Sequence, residues 1–207
     1  NAGLIPDEEY YKKIYWPEWP KSIILSLSIG QGEVSVTPLQ LAQYTALIAN
    51  NGKGYQPHLV KGYVDEGNNE VVDFEYKKID VGIYQKIFDI VKDGMFLVVN
   101  GEGTATHLRW SEYEISGKTG TAQNPHGQDH SIFIAYGPVE NPKIAIAVFV
   151  ENGYWGSRWA APIASLIIEQ YLNGEITRKE LEKRIKEVQL YSSHHIYSVK
   201  FKNCVIE

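Results

Sequence analysis

The chain has 207 residues, 43% apolar and 22% charged, with 20 Lys and Arg against 25 Asp and Glu for a formal net charge of -5. That supplies apolar material for one substantial core, and with no basic cluster beyond a pair of lysines it argues against a nucleic-acid partner. The one cysteine, Cys204, excludes an internal disulfide and a cysteine-based zinc site, and no apolar run approaches the length of a membrane span.

The first residues, "NAGLIPDEEYYKK", contain no Met and lack the basic and apolar layout of a signal peptide, so the chain is expected to be cut from something longer. Residues 1–36 read as irregular, with Pro6, Pro17 and Pro20 around aromatics and an apolar run, "SIILSLSIGQGEVSV", broken by Gly30 and Gly32. A helix then starts at a capping box: Thr37 as N-cap, Pro38 at the first helical position and Gln40 three residues after the cap, with Asn51-Gly52 as the stop. Leu39, Ala42, Ala46 and Ala49 form one stripe on it, and Leu41, Leu47 and Ile48 cover much of the rest, so it is expected to be largely buried.

Next comes "GYQPHLVKGYVDEGNNEVVDF", read as two strands joined by a turn at Gly67-Asn68. A helix follows with its apolar period through Ile83, Ile87, Ile90, Val91, Met95 and Val98, ended by Gly101. Three strands are expected at residues 113–123, 131–137 and 144–150, the last two joined by "PVENPK" at hairpin length, as an antiparallel meander. "WAAPIASLIIEQYLNG" reads as an apolar helix stopped by Gly174, and Thr177 with Glu180 as a capping box for the charged "RKELEKRIKEVQL". The order of elements gives an α+β class, helices packed on an antiparallel sheet.

Within the first strand of the meander, "SGKTGTA" stands out, because glycine weakens a strand unless another backbone or a ligand comes close. Alternation puts Lys118 and Gly120 on one face and Thr119 and Thr121 on the other. Hydroxyls, an ammonium and bare backbone N–H groups on one edge suit a peptide bearing a carboxylate, bound by strand addition. On the tripeptide Lys-Thr-Gly alone, a glycine-containing edge strand carrying a solvated lysine is the preferred reading.

The surrounding segments resolve the ambiguity. "SIGQGEVSVTPLQLAQYTALIANNG", "GMFLVVNGEGTA", "SGKTGTAQ", "HSIFIAYGPVENPKIAIAVFVENG" and "WAAPIASLIIEQYL" occur in the order in which the penicillin-binding proteins carry similar segments. The chain resembles the class B, elongation-type D,D-transpeptidases often called penicillin-binding protein 2. The resemblance implies a partial transpeptidase, β-lactamase-like fold, with residues 1–190 as the C-terminal part of that domain and 191–207 as an unassigned tail.

It also implies a chemistry. A serine in a Ser-x-x-Lys motif attacks the D-Ala-D-Ala carbonyl of a cell-wall stem peptide, releases D-Ala and passes the acyl group to an amine of a neighbouring strand; β-lactams acylate the same serine. Carried onto this chain, Lys118 supplies positive potential, Thr119 and Thr121 bind the substrate or β-lactam carboxylate, Gly120 keeps the edge open, and the Thr121 backbone N–H forms half of the oxyanion hole. The family further implies no cofactor or metal, an association with the cell-elongation machinery, and a parent anchored at the extracytoplasmic face of the bacterial inner membrane by an N-terminal segment outside these residues.

One departure matters. No serine in the chain has a lysine three positions later, and no Ser-x-Asn occurs, so the nucleophile is absent from these 207 residues. The fragment alone is therefore expected to be inactive and, lacking part of its sheet, to leave Ile146 and Val148 uncovered and to self-associate. A non-catalytic peptide- or partner-binding module, or a related β-lactam hydrolase or sensor, are the alternative readings. Asp129-His130-Ser131 is not a catalytic relay, since consecutive strand residues point to opposite faces. His126, His194 and His195 lack ligand spacing. Trp155, Arg158 and Trp159 are expected partly as an exposed aromatic surface and partly as core.

Overall fold

Asp7 opens the first element. In the computed structural model, which describes residues 3–15, 18–187, 189–191 and 196–198, its carboxylate accepts from the Tyr10 N–H at 2.8 Å and caps α1 (Glu8–Ile14). Lys12–Glu8 and Lys13–Glu9 ion pairs at 2.7 and 2.9 Å line its outer face. A second short helix, α2 (Ser22–Ser28), follows with neither a side-chain cap nor a buried residue. Both helices correct the expectation of irregular structure before residue 36. The first could have been read from its Asp cap and its i,i+4 charge pairs.

The capping box forms as expected. Thr37 Oγ1 accepts from Gln40 N at 3.2 Å and Gln40 Oε1 accepts from Thr37 N at 2.8 Å, starting α3 (Pro38–Ala49). The helix is not largely buried, however: Thr45, Ile48 and Ala49 face inward while Leu39 is 63% exposed. The small strands β1 (Lys53–Tyr55), β2 (Gly62–Val64), β3 (Val71–Asp73) and β4 (Lys78–Asp80) come next, as antiparallel pairs β1–β4 and β2–β3. The expected turn at Gly67-Asn68 joins β2 to β3; the enclosing pair β1–β4 was not foreseen.

α4 (Gln85–Asn100) ends at Gly101, and a single 3-10 turn covers Thr106–Leu108. Its buried residues are Phe88, Met95 and Val99, whereas Ile83, Ile87 and Ile90 lie on the exposed side. The expected apolar period therefore meets the core in its second half, through Met95 and Val98, and departs from it in the first, where Phe88 takes the inward position.

The meander forms as β5 (Ser116–Ala122), β6 (His130–Gly137) and β7 (Ile144–Val150), antiparallel in the order β5-β6-β7. α5 (Ala160–Asn173) crosses one face and α3 the other. Against α5 the core contains Phe133, Ala135, Ala160, Ala164 and Ile168, with Ile146 and Val148 packed on it; against α3 and α4 it contains Ile48, Ala49, Met95 and Tyr136. Burying a side chain the size of Phe133 contributes about 2–3 kcal/mol. The expectation that Ile146 and Val148 lack cover is thus corrected, since α5 supplies it. The outer backbone edge of β7 has no partner strand among the described residues.

Gly174, at φ +78°, stops α5 in the left-handed conformation that glycine adopts without strain. α6 (Lys179–Glu187) follows, then the paired strands β8 (Gln189–Tyr191) and β9 (Ile196–Ser198). Thr177 binds the preceding helix: its hydroxyl donates to Glu169 Oε1 at 2.5 Å and its N–H to the same oxygen at 2.6 Å. Arg178 Nε donates to Glu169 Oε2 at 2.7 Å, its Nη2 to the Ser165 carbonyl at 2.9 Å, and its guanidinium lies 5.2 Å from the Trp110 ring centroid. Glu169 is wholly buried. Burial opposes its ionisation, but hydrogen bonds from Thr177 and Arg178, with the Arg178 charge, hold the carboxyl below the usual glutamate range. His194, His195 and Cys204 lie outside the described residues.

Candidate active site

The sequence "SGKTGTA" forms the edge strand β5, which among the described residues has a neighbour strand on one side only. Register with β6 places Lys118 opposite Ile134 and Gly120 opposite Ile132, while Thr119 faces Phe133 and Thr121 faces Ser131. Lys118 is exposed, with its ammonium donating to the Thr119 carbonyl at 2.7 Å; Thr119, Gly120 and Thr121 are half-buried.

Two glycines of this strand answer to packing inside the protein. A Cβ at position 117 would lie 2.4 Å from the Phe133 ring, so the buried phenylalanine occupies the space. At position 120 an added Cβ would meet Ile132, its Cβ at 3.3 Å and its carbonyl oxygen at 3.9 Å. The close approach there comes from Gly156, where a Cβ would stand 2.4 Å from the Gly120 oxygen, 2.9 Å from its nitrogen and 2.3 Å from the Ile132 oxygen. A glycine backbone is thus pressed against the β5–β6 pair beside the Lys-Thr-Gly turn of sequence.

Three further segments converge on β5. Asn100, the last residue of α4, donates to the Ile115 carbonyl at 2.9 Å and ties the start of the strand. The turn after α4 brings Thr104 Oγ1 to 2.8 Å from Thr119 Oγ1. Gln31, between α2 and α3, donates through Nε2 to the Thr121 carbonyl at 3.3 Å, across 90 residues of sequence. Neither Gln31 nor Thr104 was singled out as a site residue. The only signal for them was their place in segments, "SIGQG" and "NGEGTA", whose order made the chain recognisable.

The other sequence candidates go elsewhere. Ser131 is buried, donates to the Trp155 carbonyl at 2.9 Å and accepts from Ala160 N at 3.1 Å, so its hydroxyl fastens the loop before α5. His130 Nδ1 accepts from Asn152 N at 3.1 Å, and Asp129 Oδ1 from Asn124 N at 3.3 Å. Trp155 is 71% exposed and Trp159 half-buried, with the Arg158 guanidinium 5.5 Å from the rings of both Tyr154 and Trp159. No cluster of His, Cys, Asp or Glu suited to a metal occurs among the described residues. A cavity of about 510 Å³ in the β1–β4 arm is lined by Tyr55, His58, Lys61 and Tyr76 among others, and no residue of β5 contributes to it.

The described residues thus form an α+β protein, a three-stranded antiparallel sheet between apolar helices, with Lys-Thr-Gly-Thr on an edge that has no partner strand among them. The model of the penicillin binding protein transpeptidase domain matches residues 5–169, and the chain belongs to that family. Among the relatives, the peptidoglycan D,D-transpeptidase MrdA of Haemophilus influenzae is 34% identical, in an alignment covering 87% of this chain and 30% of that protein. Among solved structures, Pseudomonas aeruginosa PBP2 in complex with WCK 5153 is 39% identical with a TM-score of 0.69, covering 86% of this chain and 40% of that one. Helicobacter pylori PBP2 in complex with MreC is 32% identical with a TM-score of 0.68, covering 83% and 31%. The chain therefore spans about a third of the length of the proteins it matches. No helix among the described residues is long and apolar enough to cross a membrane.

Proposed function

We propose that residues 1–190 furnish the carboxylate-binding and oxyanion strand of a peptidoglycan D,D-transpeptidase, with residues 191–207 as a tail of unassigned role. The observation that carries this reading is the placement of Thr119 and Thr121 on an edge strand whose outer side is unpaired among the described residues. A stem peptide lies along that edge as an added strand. Its terminal carboxylate accepts from the Thr119 and Thr121 hydroxyls, Lys118 supplies positive potential, and Gly120 leaves the approach free of a side chain. As a serine oxygen attacks the penultimate carbonyl, the Thr121 backbone N–H stabilises the developing oxyanion, a contact commonly worth about 3 kcal/mol. The C–N bond to the terminal D-alanine breaks, and the acyl group passes to an amine of a neighbouring stem peptide. The serine is not among these 207 residues, so the activity belongs to the full-length protein, and β-lactams acylate the same group. No resident cofactor takes part in this scheme.

The relatives support partners and place as well. Penicillin-binding protein A of Mycobacterium tuberculosis, solved as acyl-enzyme complexes with imipenem and with penicillin G, favours a β-lactam target, and the complex of Helicobacter pylori PBP2 with MreC favours a partner in the cell-elongation machinery. The same reading puts the reaction at the extracytoplasmic face of the bacterial inner membrane, where the stem peptides are. The test is the acylation rate of the full-length protein by a fluorescent penicillin. Lys118→Ala and Thr121→Val are expected to slow it at least tenfold, and His126→Ala to leave it unchanged. Acylation of all three at one rate sinks the assignment.

A further inference from the structure

The turn that follows α4 is built with more constraint than a connector needs. A Cβ at Gly103 would lie 2.3 Å from the Cα of Val98 and 2.6 Å from its oxygen, so only glycine lets the chain lie this close to the last turn of the helix. Ala105, fully buried, donates its N–H to the Val98 carbonyl at 3.0 Å. Arg109 reaches back to the Val99 carbonyl at 3.2 Å and also donates to the Gly101 carbonyl. Between the two anchored residues stands Thr104, its side chain exposed and its Oγ1 2.8 Å from that of Thr119.

We propose that Thr104 is a positioning residue that orients the Thr119 hydroxyl toward the carboxylate of the bound peptide or β-lactam; this rests on the function proposed above. Either threonine can be the donor in the free protein. A bound carboxylate removes the choice. It only accepts, so the Thr119 proton must go to it, and a hydroxyl has one proton and two lone pairs. Thr104 then donates its own proton to Thr119 Oγ1. The two hydroxyls form a directional chain, Thr104 to Thr119 to carboxylate, in which the first bond fixes the rotor of the second and polarises it. The rigid turn supplies the fixed position that such a chain requires. Lys118 cannot do this from the opposite face of the strand.

The experiment compares acylation of the full-length protein by penicillin G and by its methyl ester, in wild type, Thr104→Val, Thr104→Ser, Thr119→Val and the double valine variant. Loss of one neutral hydrogen bond corresponds to about a 3- to 10-fold effect. Thr104→Val is expected to slow acylation by the free acid by about that factor and to leave the ester rate alone. Thr104→Ser should behave as wild type, and the double variant no worse than Thr119→Val. The acid-to-ester ratio is internal to each sample, so a partly unfolded variant does not distort it. A wild-type ratio in Thr104→Val, or a serine variant as impaired as the valine one, overturns the role of Thr104 if Thr119→Val is itself slowed. Thr119→Val acylated at the wild-type rate overturns the carboxylate assignment beneath it.

Discussion

Gly156 rests directly on Gly120, close enough that one added methyl group at 156 would stand 2.4 Å from the Gly120 oxygen. The contact joins the loop before α5 to the middle of the Lys-Thr-Gly stretch. It makes the straightness of β5 depend on a residue more than thirty positions downstream.

Gly156→Ala is expected to push β5 off its line, because all three crowded atoms belong to backbone that no rotamer change relieves. Overpacking of this kind costs about 1–3 kcal/mol. Acylation of the full-length protein should fall along with its melting temperature, whereas Gly120→Ala, whose nearest contact is the Ile132 Cβ at 3.3 Å, should lower the melting temperature less. An alanine at 156 that melts and reacts normally removes the support role.

Gln31→Ala takes away a hydrogen bond that is long at 3.3 Å. A loss of about 0.5–1 kcal/mol is expected, or roughly 2- to 5-fold in acylation rate. Gln31→Glu should be worse, since a carboxylate cannot donate to the Thr121 carbonyl and brings a negative charge to the edge proposed to bind the substrate carboxylate. A glutamate variant as fast as wild type would remove Gln31 from the site.

The Glu169 cluster makes a pH prediction with a definite sign. Its carboxyl is held low in the folded state, so the stabilisation is complete above the ordinary value of about 4.3 and is lost as pH falls through the lower folded value. Thermal melts of wild type should drop over that acid window and those of Glu169→Gln should drop less. At neutral pH, Glu169→Ala strands Arg178 and costs about 3 kcal/mol, at the low end for a buried pair because Arg178 retains some access to water. Parallel pH profiles for wild type and Glu169→Gln would contradict the assignment.

The 207-residue chain by itself should take no covalent label from a fluorescent penicillin, since it contains no Ser-x-x-Lys. A labelled band that survives denaturation identifies an acyl acceptor of another kind.

The outer edge of β7 presents unpaired backbone N–H and C=O groups among the described residues, and such an edge is a template for another strand. The isolated chain is expected to self-associate at low micromolar concentration. Sedimentation as a monomer across that range would rule this out.

Much of this was legible beforehand. Thr37, Pro38 and Gln40 announce α3 because capping is a local interaction, and the short apolar runs at 131–137 and 144–150, joined by "PVENPK" at hairpin length, announce two strands for the same reason. The glycines of β5 raised the right question, although half of the answer lay in Phe133 and Gly156 rather than in a ligand. In α4 the second half of the expected stripe, Met95 and Val98, does face inward, but the first half does not: Ile83, Ile87 and Ile90 continue the same helical period on the exposed side, and nothing local says that Phe88 takes the inward place. Thr104 and Gln31 were invisible as site residues because their partners are set by tertiary approach, not by spacing in sequence.

The Gln31 contact also bears on when the strand becomes competent. A bond closing 90 residues of chain, together with a backstop at Gly156, gives the reactive edge a high contact order, and long closures are slow because their entropy is lost before any contact is gained. During synthesis from the N-terminus, Gln31 and the turn at Thr104 leave the ribosome before β5, and Gly156 well after it. The edge therefore cannot take its final shape until the meander is complete and α5 has begun to emerge. A nascent chain stopped short of that point holds every residue of the Lys-Thr-Gly stretch without the backbone contacts that hold the strand in line.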